Sequence, residues 1–176
     1  MPGDHLVEWS GLRAQTFRVQ EGTMLLSDLS VEGSLLDMSR AWAIGADPPG
    51  DWGFLISGDS LQVVMEDLAP QDAAQGGSFS VWARVEFTER QYQGVQMVWS
   101  EVRAFEAARR DVPVRWDVQA REQEIEGTLA VVAPFLEAGE GEGPMLPVEG
   151  LFQVAGTLTL DGRDFPVRGF IRHSQR

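Results

Sequence analysis

Apolar and polar residues alternate with period two along much of this chain. Over residues 77–90, Phe79, Val81, Ala83, Val85 and Phe87 share one face, and Ser78, Ser80, Trp82, Arg84 and Glu86 share the other. A β-branched and aromatic face set against a polar one is the pattern of a half-buried strand. Val95, Met97, Trp99 and Glu101 alternate with Gln96, Val98, Ser100 and Val102, a strand with apolar residues on both faces. Val114, Trp116, Val118 and Ala120 alternate with Arg115, Asp117 and Gln119, and residues 125–133 form a further strand ended by Pro134.

Short turns join these runs. Asp161-Gly162 lies between strand-like residues 152–160 and 165–171, a hairpin signal because type I′ turns need positive φ. Ser57-Gly58-Asp59-Ser60 and Gln20-Glu21-Gly22-Thr23 read as two more hairpin turns. Helical signals are few: residues 104–110 read as a short helix or a long strand end, and residues 35–43 as a helical turn or a bulged strand. Residues 45–51, 70–77 and 137–147 carry the Pro, Gly and Gln of loops. The spacing predicts an all-β, antiparallel up-and-down meander of about eight to ten strands, closed into a barrel that removes its edges and holds one small ligand.

Composition narrows the function. The 176 residues suit one domain (1–176) with room for a core or a lined cavity, and 43% hydrophobic content is that of a globular protein. A formal charge of −13 opposes nucleic acid and anionic membrane surfaces, and leaves a monomer or a homodimer joined through a local apolar patch. No run is long enough to span a membrane, and the first residues lack the features of a signal peptide, which predicts a cytoplasmic protein. The chain has no Cys, no Lys and no Asn, a bias that reads as that of a GC-rich bacterium. Schiff-base lysine chemistry, thiol chemistry and an Asn oxyanion-hole amide are thereby excluded.

Histidine occurs only as His5 and His173, and His173 reads as a surface or tail residue beside Arg172 and Arg176. No metal or cofactor is expected. The glycines of residues 139–143 precede Pro144 with no helix start, and the acidic run 137–142 lacks the spacing of a calcium loop. It reads as a solvated loop.

Carboxylates and aromatic rings on strands remain. Glu101 shares parity with Met97 and Trp99. Turned inward, it is a carboxylate in an apolar cavity that polarises a substrate or acts as an acid; turned outward, it is a rim group paired with Arg84 or Arg103. Tyr92, the only Tyr, is the alternative donor, although Gly94 beside it suggests a turn. Of the six tryptophans, Trp82, Trp99 and Trp116 are expected to shape the pocket, with Trp42, Trp52 and Met65 near its mouth. Met97 and Phe152 complete the expected substrate-binding set; ordinary core packing is the alternative for each ring. Residues 45–51 or an N-terminal arm within residues 1–10 could serve as a lid.

The C-terminal half carries a resemblance. Its marks are Trp99-Ser100, Val112-Pro113-Val114-Arg115-Trp116-Asp117-Val118, the run Gly127 to Pro134, Val148-Glu149-Gly150-Leu151-Phe152-Gln153-Val154-Ala155-Gly156, Asp161-Gly162-Arg163 and Val167-Arg168-Gly169-Phe170. In this order they resemble the lipocalin-like domain of the hydroxyneurosporene synthase (carotenoid 1,2-hydratase) and AttH group. The resemblance implies a lipocalin-like barrel. Members typically carry two barrels where this chain has one, and the last strand here continues as Arg172-His173. A single barrel of this length is also similar to the [4+2] cyclases of spirotetronate type. That likeness implies a cofactor-independent intramolecular cyclase, a Diels–Alderase, acting on a hydrophobic polyene or polyketide-derived substrate in natural-product biosynthesis. Proximity and orientation can supply most of the acceleration of such a closure. A non-catalytic carrier for a hydrophobic small molecule and a filled structural barrel are the alternatives.

Overall fold

The computed structural model describes residues 5–10, 14–26, 29–37, 51–58, 60–67, 76–86, 88–120 and 125–176, with burial described from residue 51 onward. All regular structure among these residues is β, in eleven strands. No helix among them is long and apolar enough to cross a membrane.

The chain divides into two compact units, Met1–Pro48 and Pro49–Arg176. The first contains β1 (His5–Ser10), β2 (Ala14–Leu26) and β3 (Leu29–Asp37), antiparallel in the order β1-β2-β3. The turn expected at residues 20–23 is absent. Glu21 pairs with Ser34 and Gly22 with Gly33, so β2 runs straight through and the chain reverses after Leu26. A lone Glu-Gly pair does not outweigh a ladder to β3 that runs unbroken from Arg18 to Leu26. Residues 35–37 belong to β3; residues 38–43 and the expected lid segment 45–50 lie outside the described residues. Residues 5–10 of the expected N-terminal arm form a strand.

The second unit is a closed eight-stranded barrel. Its strands are β4 (Trp52–Ser57), β5 (Leu61–Asp67), β6 (Gly76–Val85), β7 (Thr88–Phe105), β8 (Arg110–Gln119), β9 (Ile125–Ala138), β10 (Val148–Leu160) and β11 (Arg163–Gln175). Each pairs antiparallel with the next, and β11 returns to β4 through pairs such as Gly169 with Leu55. Residues 104–110, read as helix or strand end, are the end of β7, the turn Glu106–Arg109 and the start of β8.

Alternation decides what lies inside. Phe152, Val154, Leu158 and Leu160 of β10 face Phe165, Val167 and Ile171 of β11, and the row continues through Leu55, Met65 and Val81 on β4, β5 and β6. These residues belong to one buried apolar cluster. Closure brings backbones together at glycine. A Cβ on Gly169 would lie 1.8 Å from the Phe54 carbonyl oxygen, and one on Gly156 1.9 Å from that of Thr128. No side chain fits there, which is why the strands can bend at these positions.

One end of the barrel is closed by tight turns, where Asp161 and Gly162 have φ of 51° and 74°, the type I′ geometry expected of Asp-Gly. At the other end the β7–β8 turn meets residues 139–147. Leu146 N–H donates to the Ala108 carbonyl at 3.0 Å, and Arg109 Nη2 donates to the Gly143 carbonyl at 3.0 Å. The acidic loop is exposed, as expected, yet tied to this hairpin.

Candidate functional site

The site lies inside the barrel at the end away from the Asp161-Gly162 turn. β11 has inward positions Phe165, Val167, Ile171 and then His173. His173 follows the parity of its apolar neighbours and is only 7% exposed. Its Nδ1 is hydrogen-bonded to the carboxylate of Asp51, the residue just before β4. The second Asp51 oxygen accepts from the Ser174 backbone N–H at 2.9 Å, and the Asp51 carbonyl accepts from the Asp67 N–H at 2.8 Å. One residue thus links the ends of β11 and β5 to the start of β4.

One aromatic ring meets this dyad, and two more lie on the neighbouring strands. Trp99 on β7 meets the His173 ring edge to face, with centroids 5.0 Å apart. Trp99 pairs in register with Trp116 on β8, and Trp116 makes a second edge-to-face contact with Phe152 at 5.3 Å. Phe152 leans over Gly150, where a Cβ would lie 2.4 Å from its ring, and Gly150 pairs with His173. The histidine's Nε2 is buried without a hydrogen-bond partner among the described residues.

A carboxylate only accepts hydrogen bonds. In the neutral ring Nδ1 is therefore the N–H, and Nε2 carries a bare lone pair. The carboxylate also steadies the ring when Nε2 gains a proton. The arrangement can hydrogen-bond a polar atom of a bound molecule and can take up and return one proton.

The expected site residues divide by which side of the sheet they occupy. Met65, Tyr92, Met97, Trp116 and Phe152 are buried in the interior cluster, and Trp99 packs against it. Tyr92 is not in a turn. β7 bulges beside it, with Gly94 at φ 69°, and runs on. Trp82 does not line the interior, because it shares a row with Val64 and Phe54 on the outer face. Trp52 pairs with Arg172 and Glu66 and also belongs to that outer face. Trp42 lies outside the described residues.

Glu101 does not face a cavity either. Trp99 pairs with Trp116 but Glu101 pairs with Arg115, so Ser100 is an extra residue and the bulge turns Glu101 outward. It makes a 3.0 Å ion pair with Arg115, both side chains about half exposed. The pairing is of the surface kind, although with a different arginine from the two expected. Glu101→Gln is expected to change stability by less than about 0.5 kcal/mol, the range of exposed pairs. Urea denaturation checks this, and a larger loss would show that the pair is not a surface contact.

His173 and Asp51 are the residues that the sequence reading missed. The signal was present in the alternation Phe165, Val167, Gly169, Ile171, His173, which places the histidine on the apolar face. Its nearness to the end of the sequence concealed this. Elsewhere, an open groove of about 640 Å³ crosses the outside of β8, β9 and β10 between Asp117, Glu126, Thr128 and Thr157. It is an open surface of mixed polar and apolar lining. Among the described residues, no three His, Cys, Asp or Glu side chains are grouped to hold a metal ion.

In fold, the chain is similar to AttH. The solved structure of the AttH protein of Nitrosomonas europaea superposes with a TM-score of 0.54 at 13% identity, over 92% of this chain and 50% of that one. Kievitone hydratase from Nectria haematococca gives a TM-score of 0.45, also at 13% identity, over 91% of this chain and 50% of that one. The chain spans about half the length of the solved structures it matches. No family model and no curated protein matches the sequence. The likeness agrees with the expected lipocalin-like barrel and is one of fold.

Proposed function

We propose that the barrel binds a hydrophobic small molecule at its His173 end and closes a ring in it without a cofactor. The substrate class is a polyene or polyketide-derived chain, folded against Trp99, Trp116 and Phe152. The protein acts in the cytoplasm as a monomer or homodimer. The observation that carries this reading is His173, a buried imidazole fixed at Nδ1, with Nε2 unsatisfied and the Trp99 ring against it. It takes the polarising role first assigned to Glu101. Holding a flexible chain near its reactive geometry supplies proximity, and one hydrogen bond accepted by Nε2 from a substrate hydroxyl supplies polarisation.

A second reading has its own support. Phe152, Leu55, Leu61, Met65, Met97, Ile125 and Leu129 are all almost wholly buried, which suits a filled structural barrel. Titrating intrinsic Trp fluorescence with linear polyenes and polyketide mimics separates the readings, followed by mass spectrometry and NMR of each binder. The expected result is quenching with an isomeric, cyclised product, and turnover at least about tenfold lower in Trp99→Ala. Quenching with the ligand recovered unchanged would replace the cyclase with a carrier. An absence of quenching by every probe would favour the filled barrel.

A further inference from the structure

Building on that reading, we infer that the ligand carries one enol or phenol O–H, and that this hydrogen meets His173 Nε2. The chemistry of the two nitrogens points there. Asp51 fixes the N–H at Nδ1 because a carboxylate offers no hydrogen, so the ring presents a lone pair to the interior. That atom is sealed from solvent and has no partner among the described residues. A buried acceptor without a donor carries a desolvation penalty, which a ligand O–H relieves and a hydrocarbon or ether does not. A ligand with only acceptor atoms would set one lone pair against another.

The surroundings favour the same ligand. Gly150, the residue paired with His173 on β10, has no side chain to offer a competing donor, and the Phe152 ring covers that position. Trp99 stands edge to face on the His173 ring, so an aromatic side chain lies next to the imidazole, a setting suited to a ligand whose O–H is attached to a conjugated π-system. When the proton moves, the O–H bond breaks and its electron pair stays on oxygen as enolate or phenolate. The proton bonds to the Nε2 lone pair, and the imidazolium faces the Asp51 carboxylate. The same proton returns to the oxygen or to a conjugated carbon, so the step is a balanced isomerisation that needs no co-reactant.

The test uses 1-naphthol and its methyl ether, 1-methoxynaphthalene, with the whole chain at one pH. Wild type is expected to bind naphthol at least about tenfold tighter than the ether. His173→Phe is expected to bring the two affinities within about twofold while leaving the ether affinity unchanged. The chain has only two imidazoles, so ¹⁵N spectra resolve His173 directly. The free wild-type protein should show Nδ1 protonated and Nε2 bare, and naphthol but not the ether should shift Nε2. Equal affinities in wild type, or a free protein with the proton on Nε2, would overturn the inference while leaving a ligand-binding barrel intact. If neither probe binds, the ligand-binding reading falls and this inference falls with it.

Discussion

Replacing Phe152 with alanine is expected to lower the stability of the barrel by about 3–5 kcal/mol, the range of a large ring deleted from a packed core. Phe152 is 1% exposed, stands edge to face on Trp116 and fills the space over Gly150. Deletion removes the transfer energy of the ring, the aromatic contact and the dispersion contacts of every neighbour that cannot collapse inward. Collapse is limited here because the Phe152 backbone is paired on both sides, to Ile171 and to Pro134. Urea denaturation with an unchanged m-value would measure the loss. The size also bears on function. A loss near the top of the range means the interior is filled at this point and a ligand must displace side chains to enter. A loss below about 1 kcal/mol would mean that Phe152 already borders open space, against the packing described.

The fold was legible in the sequence wherever one face of a strand is buried and the other is not. The alternation in residues 79–85 placed Phe79, Val81 and Ala83 together, and the barrel buries all three. Asp161-Gly162 marked its turn because positive φ restricts the choice of residue. Parity, by contrast, does not say which face points in when both carry apolar residues. Trp82 looked like a pocket residue for that reason, and it stands in the outer row with Val64 and Phe54. Nor does parity survive a bulge. One extra residue at Ser100 leaves Met97 and Trp99 inside and turns Glu101 out, and nothing local in Trp99-Ser100-Glu101 announces it. The dyad was hidden differently. Asp51 and His173 are separated by most of the barrel in sequence and meet only because β11 pairs with β4 when the sheet closes.

Asp51→Ala is expected to lower stability by about 2–3 kcal/mol, because it removes the acceptor of a buried donor, His173, and of a half-buried one, the Ser174 N–H, at once. His173 Nδ1 and the Ser174 N–H both bond to this carboxylate. The partner change should behave differently. His173→Phe replaces a buried polar ring with an apolar one among Trp99 and its neighbours, and it should be close to neutral or slightly stabilising. The double variant should then be more stable than Asp51→Ala alone, since removing the histidine removes the orphaned donor as well. A coupling of at least about 1 kcal/mol in that cycle, read by urea denaturation, would show that the two side chains act on each other. Strict additivity would show that Asp51 serves the Ser174 backbone alone. The same variants separate stability from function. If His173→Phe folds as well as wild type yet loses ligand discrimination and turnover, the imidazole is retained for chemistry at a place where packing alone would favour an apolar ring.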